Sequence, residues 1–505
     1  MWPPRSDSGG PRRVCDYHEV LDASPLPLII QGGMGAGVSD WRLARAVSSA
    51  GQLGVVSGTG LDLILVRRLQ QGDPDGLMAS ALARFPVLAA AKRILDTYFV
   101  PGGKSDTVPF RAKPMLAQQP SPFLEQLLVA ASFVEVLLAR DGHDGPVGLN
   151  LLEKIQLPTL PTLYGAMLAG VAFVLVGAGI PRAIPGVLDR LSRGEAVELR
   201  LDVRGARPGE EFVTRFDPRR FLGGEPPRLE RPKFLGIISS STLASALLRK
   251  ASGTVDGFVV EGPTAGGHNA PPRGAPPLGP TGEPTYGERD VVDLDEMKAL
   301  GAPFWLAGSY GRVGGLAEAR AAGAVGIQVG TAFAYCAESG LDAGIKQRVL
   351  AASRAGEARV FTDPVASPTG FPIKVVQVPG TLSEADVYAA RDRICDLGYL
   401  RHAYRRDDGT LGWRCPSEPV ADYLAKGGAE ADTVGRKCVC NGLMATIGQP
   451  QVRPDGDVEL PFVTSGDRVA DVAAFLPPGA TSYGARDVLE LLLHGSLSGV
   501  HPTRA

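Results

Sequence analysis

Eight short apolar runs, separated by helical stretches, constrain this chain more than any other feature. They are Pro27-Leu-Ile-Ile30, Leu53-Gly-Val-Val-Ser57, Val147-Gly-Leu-Asn150, Phe173-Val-Leu-Val176, Phe234-Leu-Gly-Ile-Ile238, Phe258-Val-Val260, Phe304-Trp-Leu-Ala307 and Gly326-Ile-Gln-Val329. Short apolar runs bounded by turn residues read as buried parallel strands. Most end in glycine or a polar residue, as in Gly58-Thr-Gly60, Asn150, Gly177-Ala-Gly179, Ser239-Ser-Ser241, Gly266-Gly-His268, Gly308-Ser309 and Gly330-Thr331. A (β/α)8 TIM barrel brings all these C-terminal ends to one mouth, where such barrels build their sites. An open α/β sheet is the alternative; a count of eight favours closure.

The first run leads into Gln31-Gly-Gly-Met-Gly-Ala-Gly37, which invites a dinucleotide-fold reading. Counted from Gly35, the third glycine of G-x-G-x-x-G falls on Asp40, and the strand ending at Ser57 carries no acidic residue for a ribose. That reading is rejected. Ser39-Asp40 instead caps a helix running through Ala50.

The 505 residues divide into an arm at 1–24, a barrel at 25–375 and an extension at 376–505. The barrel carries an insertion at 58–145, expected as a lid over the mouth, and a hairpin of Val197-Glu-Leu-Arg-Leu201 with Glu211-Phe-Val-Thr-Arg215. With 52 basic against 54 acidic residues the net charge is −2, which supplies no field for nucleic acid or an anionic membrane. A small-molecule substrate is expected, and a homodimer stays open. Six cysteines are too few for a disulfide scaffold of this length, and no charged and apolar leader opens the chain, so a cytoplasmic location is expected. Residues 163–180 are nearly all apolar but contain four glycines, and read as a helix end followed by a buried strand.

The seventh and eighth runs end in Leu306-Ala-Gly-Ser309 and Gln328-Val-Gly-Thr331, each expected to lead into a helix. Free amides and helix N-termini there suit a phosphorylated ligand; tight strand-to-helix turns alone would also explain the glycines. Together with Gln31-Gly-Gly-Met34, Gly148-Leu-Asn150 and Glu261-Gly-Pro-Thr-Ala-Gly-Gly-His268, these segments resemble the nitronate monooxygenase family, also called 2-nitropropane dioxygenases, over residues 25–339. FMN-type enoyl reductases share that scaffold.

The resemblance implies a TIM barrel holding FMN without a covalent bond. It places Asn150 against the flavin, Gly266 in backbone contact beside the ring, and Gly33, Met34, Glu261 and Gly267 among the cofactor-binding residues. It makes Gly308, Ser309, Gln328, Val329, Gly330 and Thr331 the phosphate cradle, with His268 near the reactive edge as the catalytic residue. Two positions depart from the family pattern: Glu261 stands where glutamine is common, and Ser309 where a second glycine is usual. A carboxylate beside a flavin alters its proton uptake, whereas serine still offers a phosphate its amide and hydroxyl.

The activity implied is an FMN-dependent, nitronate monooxygenase-like oxidation of a nitronate or similar carbanion by O2. The alternative is an NAD(P)H-dependent reductase acting on an enoyl chain carried by an acyl carrier protein or CoA. An imidazole near its free pKa exchanges protons at neutral pH, which suits His268 to either. Asn269 is a secondary substrate contact. Tyr164, Lys154 and Tyr310 lie near other strand ends, with packing or a solvated tip at least as good an explanation. Cys395, Cys415, Cys438 and Cys440 fit no common C-x-x-C metal ribbon, and no metal is assigned.

Overall fold

Alternation of side chains along each apolar run decides how the barrel is filled. In the computed structural model, which describes residues 26–453 and 455–496, the runs become β1 (Ile29–Gln31), β2 (Leu53–Ser57), β3 (Val147–Leu152), β4 (Phe173–Gly177), β5 (Lys233–Ile238), β6 (Gly257–Glu261), β7 (Phe304–Ala307) and β8 (Gly326–Val329). The arm expected at residues 1–24 lies outside the described residues. The strands are parallel and close in the order β1-β8-β7-β6-β5-β4-β3-β2. The (β/α)8 barrel is therefore observed.

Ile30, Leu53, Val55, Phe173, Leu175, Leu235, Val259 and Trp305 fill the interior, while their strand neighbours, among them Val56, Val174, Phe258 and Leu306, face the ring of helices. This is the period of two that a strand imposes. Trp305 is the largest of these buried side chains, its indole N–H donating to the Pro27 carbonyl at 2.7 Å.

Residues 58–145 do not form the expected lid. They supply four helices, and the last, Pro122–Arg140, packs against Trp41–Ser49, Leu61–Gln70 and Thr159–Leu168. Pro122–Arg140 is long and apolar enough to cross a membrane, yet most of it is buried in the helix ring. Its apolar surface is satisfied there. Residues 163–180 resolve as expected, into the end of Thr159–Leu168 followed by β4. The hairpin after β4 pairs Val197–Arg200 with Val213–Phe216.

The chain leaves the barrel through β9 (Val360–Asp363) and β10 (Ile373–Val376), an antiparallel pair. Residues 376–496 then return to the barrel. The Val376 amide donates to the Val463 carbonyl, the Tyr483 hydroxyl reaches the Ala332 carbonyl at 2.6 Å, and Ala485–His494 contacts Trp41–Ser49. Cys395, Cys415, Cys438 and Cys440 line one small void in this extension. Among the described residues no group of three or more His, Cys, Asp or Glu side chains is arranged to hold a metal ion.

Candidate functional site at the barrel mouth

The ends of β7 and β8 are adjacent, Ala307 lying in register with Gln328. Gly308 follows at φ +81° and Ser309 at φ +62°, so two successive left-handed residues turn the chain sharply. Ser309 holds a conformation that residues with a Cβ rarely adopt, a strain typical of ligand-binding turns. The amides of Gly308, Ser309, Gly330 and Thr331 find no acceptor among the described residues. Unpaired amides on neighbouring turns make a nest for an anion. The expected helix dipoles add little. The helix after β7 starts only at Gly315, and that after β8 is the single turn Thr331–Ala334.

These residues line one cavity with Gly33, Met34, Asn150, Glu261, Gly266, Gly267, His268, Gln328 and Val329, so every residue that the family resemblance assigned to the cofactor or to catalysis comes to the same mouth. Asn150 donates through Nδ2 to the Leu175 and Leu151 carbonyls, at 3.1 and 3.2 Å, which leaves its Oδ1 without a partner among the described residues. Gly33 must be small: a Cβ there would sit 2.4 Å from Asn150 Cβ. Gln328 Oε1 is buried and has no partner among the described residues, an acceptor that a bound molecule would satisfy.

Glu261 and His268 are partly open to the cavity yet deep in the protein. Burial pushes the Glu261 carboxyl up to about 7 and the His268 imidazole down to about 4. His268 Nε2 lies 2.7 Å from the hydroxyl of Ser367, a buried residue in the loop between β9 and β10. Its backbone bridges to Ile373, and the Lys374 amide donates to the Gly267 carbonyl at 3.0 Å. This histidine is neutral, held from the far side by β10.

A second cavity adjoins the first. Ala178, Ile237, Glu261 and His268 border both, and Ser239, Leu243, Arg273, Tyr286, Asp290 and Phe371 are among the residues that extend the second one outward.

The extension supplies residues that sequence reasoning missed. Thr464, Ser465, Gly466, Arg468 and Phe475 line the mouth cavity, whereas residues 58–145 lend it only Thr59. The Gly466 amide donates to Thr331 Oγ1 at 3.0 Å, and the Asp467 amide to the Thr264 carbonyl at 3.3 Å. Gly266 meets this segment directly, since a Cβ on it would fall 2.7 Å from the Gly466 nitrogen. Its smallness therefore has a cause within the chain as well as toward any ligand.

The secondary residues are dispersed. Asn269 is buried and braces its own loop, donating to the Ala265 carbonyl at 3.0 Å. Tyr164 is core, its ring centroid 5.0 Å from that of Phe216. Lys154 pairs with Asp202 at 2.9 Å, and Tyr310 follows the β7 turn without lining the mouth cavity.

Residues 225–367 match the nitronate monooxygenase family model. The resemblance is thereby shown for the segment that carries β5 to β8, Glu261, His268, the turns after β7 and β8, and Ser367. Asn150 and the loop through Met34 lie outside the matched residues. No curated protein matches the chain. Among solved structures, FabK from Thermotoga maritima is 17% identical, with 92% of this chain and 91% of that chain covered at a TM-score of 0.44. A nitroalkane oxidase from Streptomyces ansochromogenes is 17% identical over 93% and 95% at 0.42. The enoyl reductase domain of MlnA from Bacillus amyloliquefaciens is 11% identical over 93% and 94% at 0.45. Likenesses at these scores carry no argument, and the barrel stands on its own strand order.

Proposed function

We propose that this chain is an FMN-dependent oxidoreductase that oxidises a nitronate or a similarly stabilised carbanion with O2. The supporting observation is the meeting, at one mouth, of four unpaired amides on the β7 and β8 turns with the deep-set side chains of Glu261 and His268. The family match over the same segment supports the flavin reading. FMN, when bound, supplies two-electron chemistry. The amides of Gly308, Ser309, Gly330 and Thr331 would hold its phosphate, and the unsatisfied Gln328 Oε1 and the free Asn150 Oδ1 would accept from its ring system. Gly33 and Gly266 leave room for main chain to approach closely. The neutral His268 orients the substrate at the border of the two cavities, fixed by Ser367.

Anaerobic mixing tests the reading. Bleaching of the flavin band by a nitronate and not by NAD(P)H is expected; bleaching by NAD(P)H alone would replace it with the enoyl reductase reading. His268→Ala should retain flavin, read as the ratio of flavin to protein absorbance, and lower turnover by roughly a hundredfold. Loss of flavin with unchanged turnover per flavin would assign His268 to binding instead. Because the imidazole is already neutral above about 4, the variant should leave any pH transition near neutrality in place.

A further inference from the structure

Four of the chain's six cysteines meet in the extension, brought there by three separate segments. Cys395 lies in the loop after the helix Ala385–Ala389, Cys415 directly follows the hairpin of His402–Arg405 with Leu411–Arg414, and Cys438 and Cys440 open the helix Val439–Thr446. All four, with Pro368, line one small void. The thiols are not equivalent. Cys438 is buried and doubly engaged, its Sγ donating to the Ile394 carbonyl at 3.6 Å and accepting from Asn441 Nδ2 at 3.7 Å. Cys440 packs against the main hydrophobic core. Cys395 is partly exposed, and the buried Cys415 donates its S–H to the Cys395 sulfur. That hydrogen bond holds the Cys395 pKa below the usual thiol value against the opposing effect of burial, with Glu418, Arg401 and Asp396 the charges nearby. An accessible thiol that receives a hydrogen bond from a buried one is placed as a reactive cysteine beside its resolving partner.

We propose that Cys395 and Cys415 are a peroxide-sensitive pair, in which Cys395 reacts with hydrogen peroxide and Cys415 then closes a disulfide with it. In the first step the Cys395 sulfur attacks one peroxide oxygen. An S–O bond forms, the O–O bond breaks, and the departing hydroxide leaves as water with the Cys395 proton. In the second step the Cys415 sulfur attacks the Cys395 sulfur. The S–S bond forms, the S–O bond breaks, and the oxygen leaves as a second water with the Cys415 proton. The two sulfurs lose two electrons and the peroxide gains them. The pair sits behind the mouth. Pro368, which lines the void, adjoins Ser367, the residue that holds His268, and the segment leading into Cys438 grips the same loop. Arg436 Nη1 donates to the Ser367 carbonyl at 2.6 Å and the Lys437 amide to the Ala366 carbonyl at 2.9 Å. No cofactor takes part in the chemistry, so the proposal is independent of the flavin reading.

The test treats the reduced full-length protein with a small excess of hydrogen peroxide, denatures it, blocks the remaining thiols with iodoacetamide and maps the peptides by mass spectrometry. The expected result is the loss of two thiols per chain and a peptide cross-linked between Cys395 and Cys415. In Cys415→Ser the reaction should stop at a sulfenic acid on Cys395, which dimedone traps. Cys395→Ser should lose thiols to peroxide at least about tenfold more slowly than wild type, whereas Cys438→Ser and Cys440→Ser should form the same disulfide as wild type. The wild-type map decides the pairing even where a serine variant fails to fold. A disulfide between Cys438 and Cys440, dimedone on another cysteine in place of Cys395, or no thiol lost would overturn the proposal. Stoichiometric zinc released from the purified protein by thiol modification would overturn it as well, and make the cluster a metal centre.

Discussion

Arg68→Met is expected to destabilise the fold by about 3–5 kcal/mol, the usual cost of removing one partner from a buried ion pair. Arg68 joins two carboxylates from different elements, donating to Glu135 Oε2 at 2.7 Å and Asp40 Oδ2 at 3.1 Å. Asp40 is 1% exposed and Glu135 4%, so neither recovers its loss through water. Each has a second duty. Asp40 caps Trp41–Ser49 by accepting from the Arg42 and Leu43 amides, and Glu135 accepts from the Trp41 amide at 2.9 Å. Methionine fills a similar volume, leaves Glu135 without a cation and leaves Asp40 with only the half-exposed Arg42, 3.0 Å away. Burial already raises the Glu135 pKa, and removal of Arg68 raises it further, so the variant binds a proton more readily when folded than when unfolded. Its deficit against wild type should therefore shrink as the pH falls below neutrality. Urea unfolding followed by circular dichroism measures this, and the double variant with Glu135→Gln should recover part of the loss. A deficit under 1 kcal/mol would show that the cluster is hydrated or relaxes.

The barrel was legible because its strands are buried on both faces and are therefore apolar, while most of their C-terminal ends carry the glycine or polar residue that a strand-to-helix turn or a ligand requires. The meeting of Gly308, Ser309, Gly330 and Thr331 at one mouth was legible for the same reason: they directly follow strands whose position in the barrel the count of eight had assigned. Position is not protonation state, however. Read from sequence, His268 has its free pKa and is the natural base; in the fold, burial pushes it down to about 4 while the Glu261 carboxyl moves up to about 7. The cover of the mouth was misread because length suggested residues 58–145. Their apolar helix Pro122–Arg140 belongs in the ring, where its burial is worth far more than exposure over a polar mouth. Thr464, Ser465 and Gly466 carry no periodicity and no motif. Their meaning arises from a contact with Thr331, across 135 positions, that no local pattern encodes.

That contact makes Gly266→Leu the sharpest test of the extension. A Cβ at position 266 would lie 2.7 Å from the Gly466 nitrogen and 2.8 Å from the Ser465 carbonyl carbon, and backbone cannot give way as a flexible side chain can. The segment must lift, breaking the Gly466 amide bond to Thr331 Oγ1 and the Asp467 amide bond to Thr264. The pair of Lys374 with Asp467, 2.6 Å apart, is strained with them. Thr331 belongs to the proposed phosphate cradle, and Arg468 beside it is a positive charge at the mouth, so the dissociation constant for FMN should rise at least tenfold, about 1.4 kcal/mol. The core is untouched, and the far-ultraviolet spectrum should stay that of wild type. Gly466→Leu approaches the same contact from the other side, its Cβ falling 2.8 Å from Thr331 Oγ1, and should weaken FMN to a similar degree. Quenching of FMN fluorescence on titration with each protein reads the affinity directly. Two variants that bind FMN like wild type would show the extension to be a cover that takes no part in holding the cofactor; two that fail to fold would make it part of the barrel's own stability.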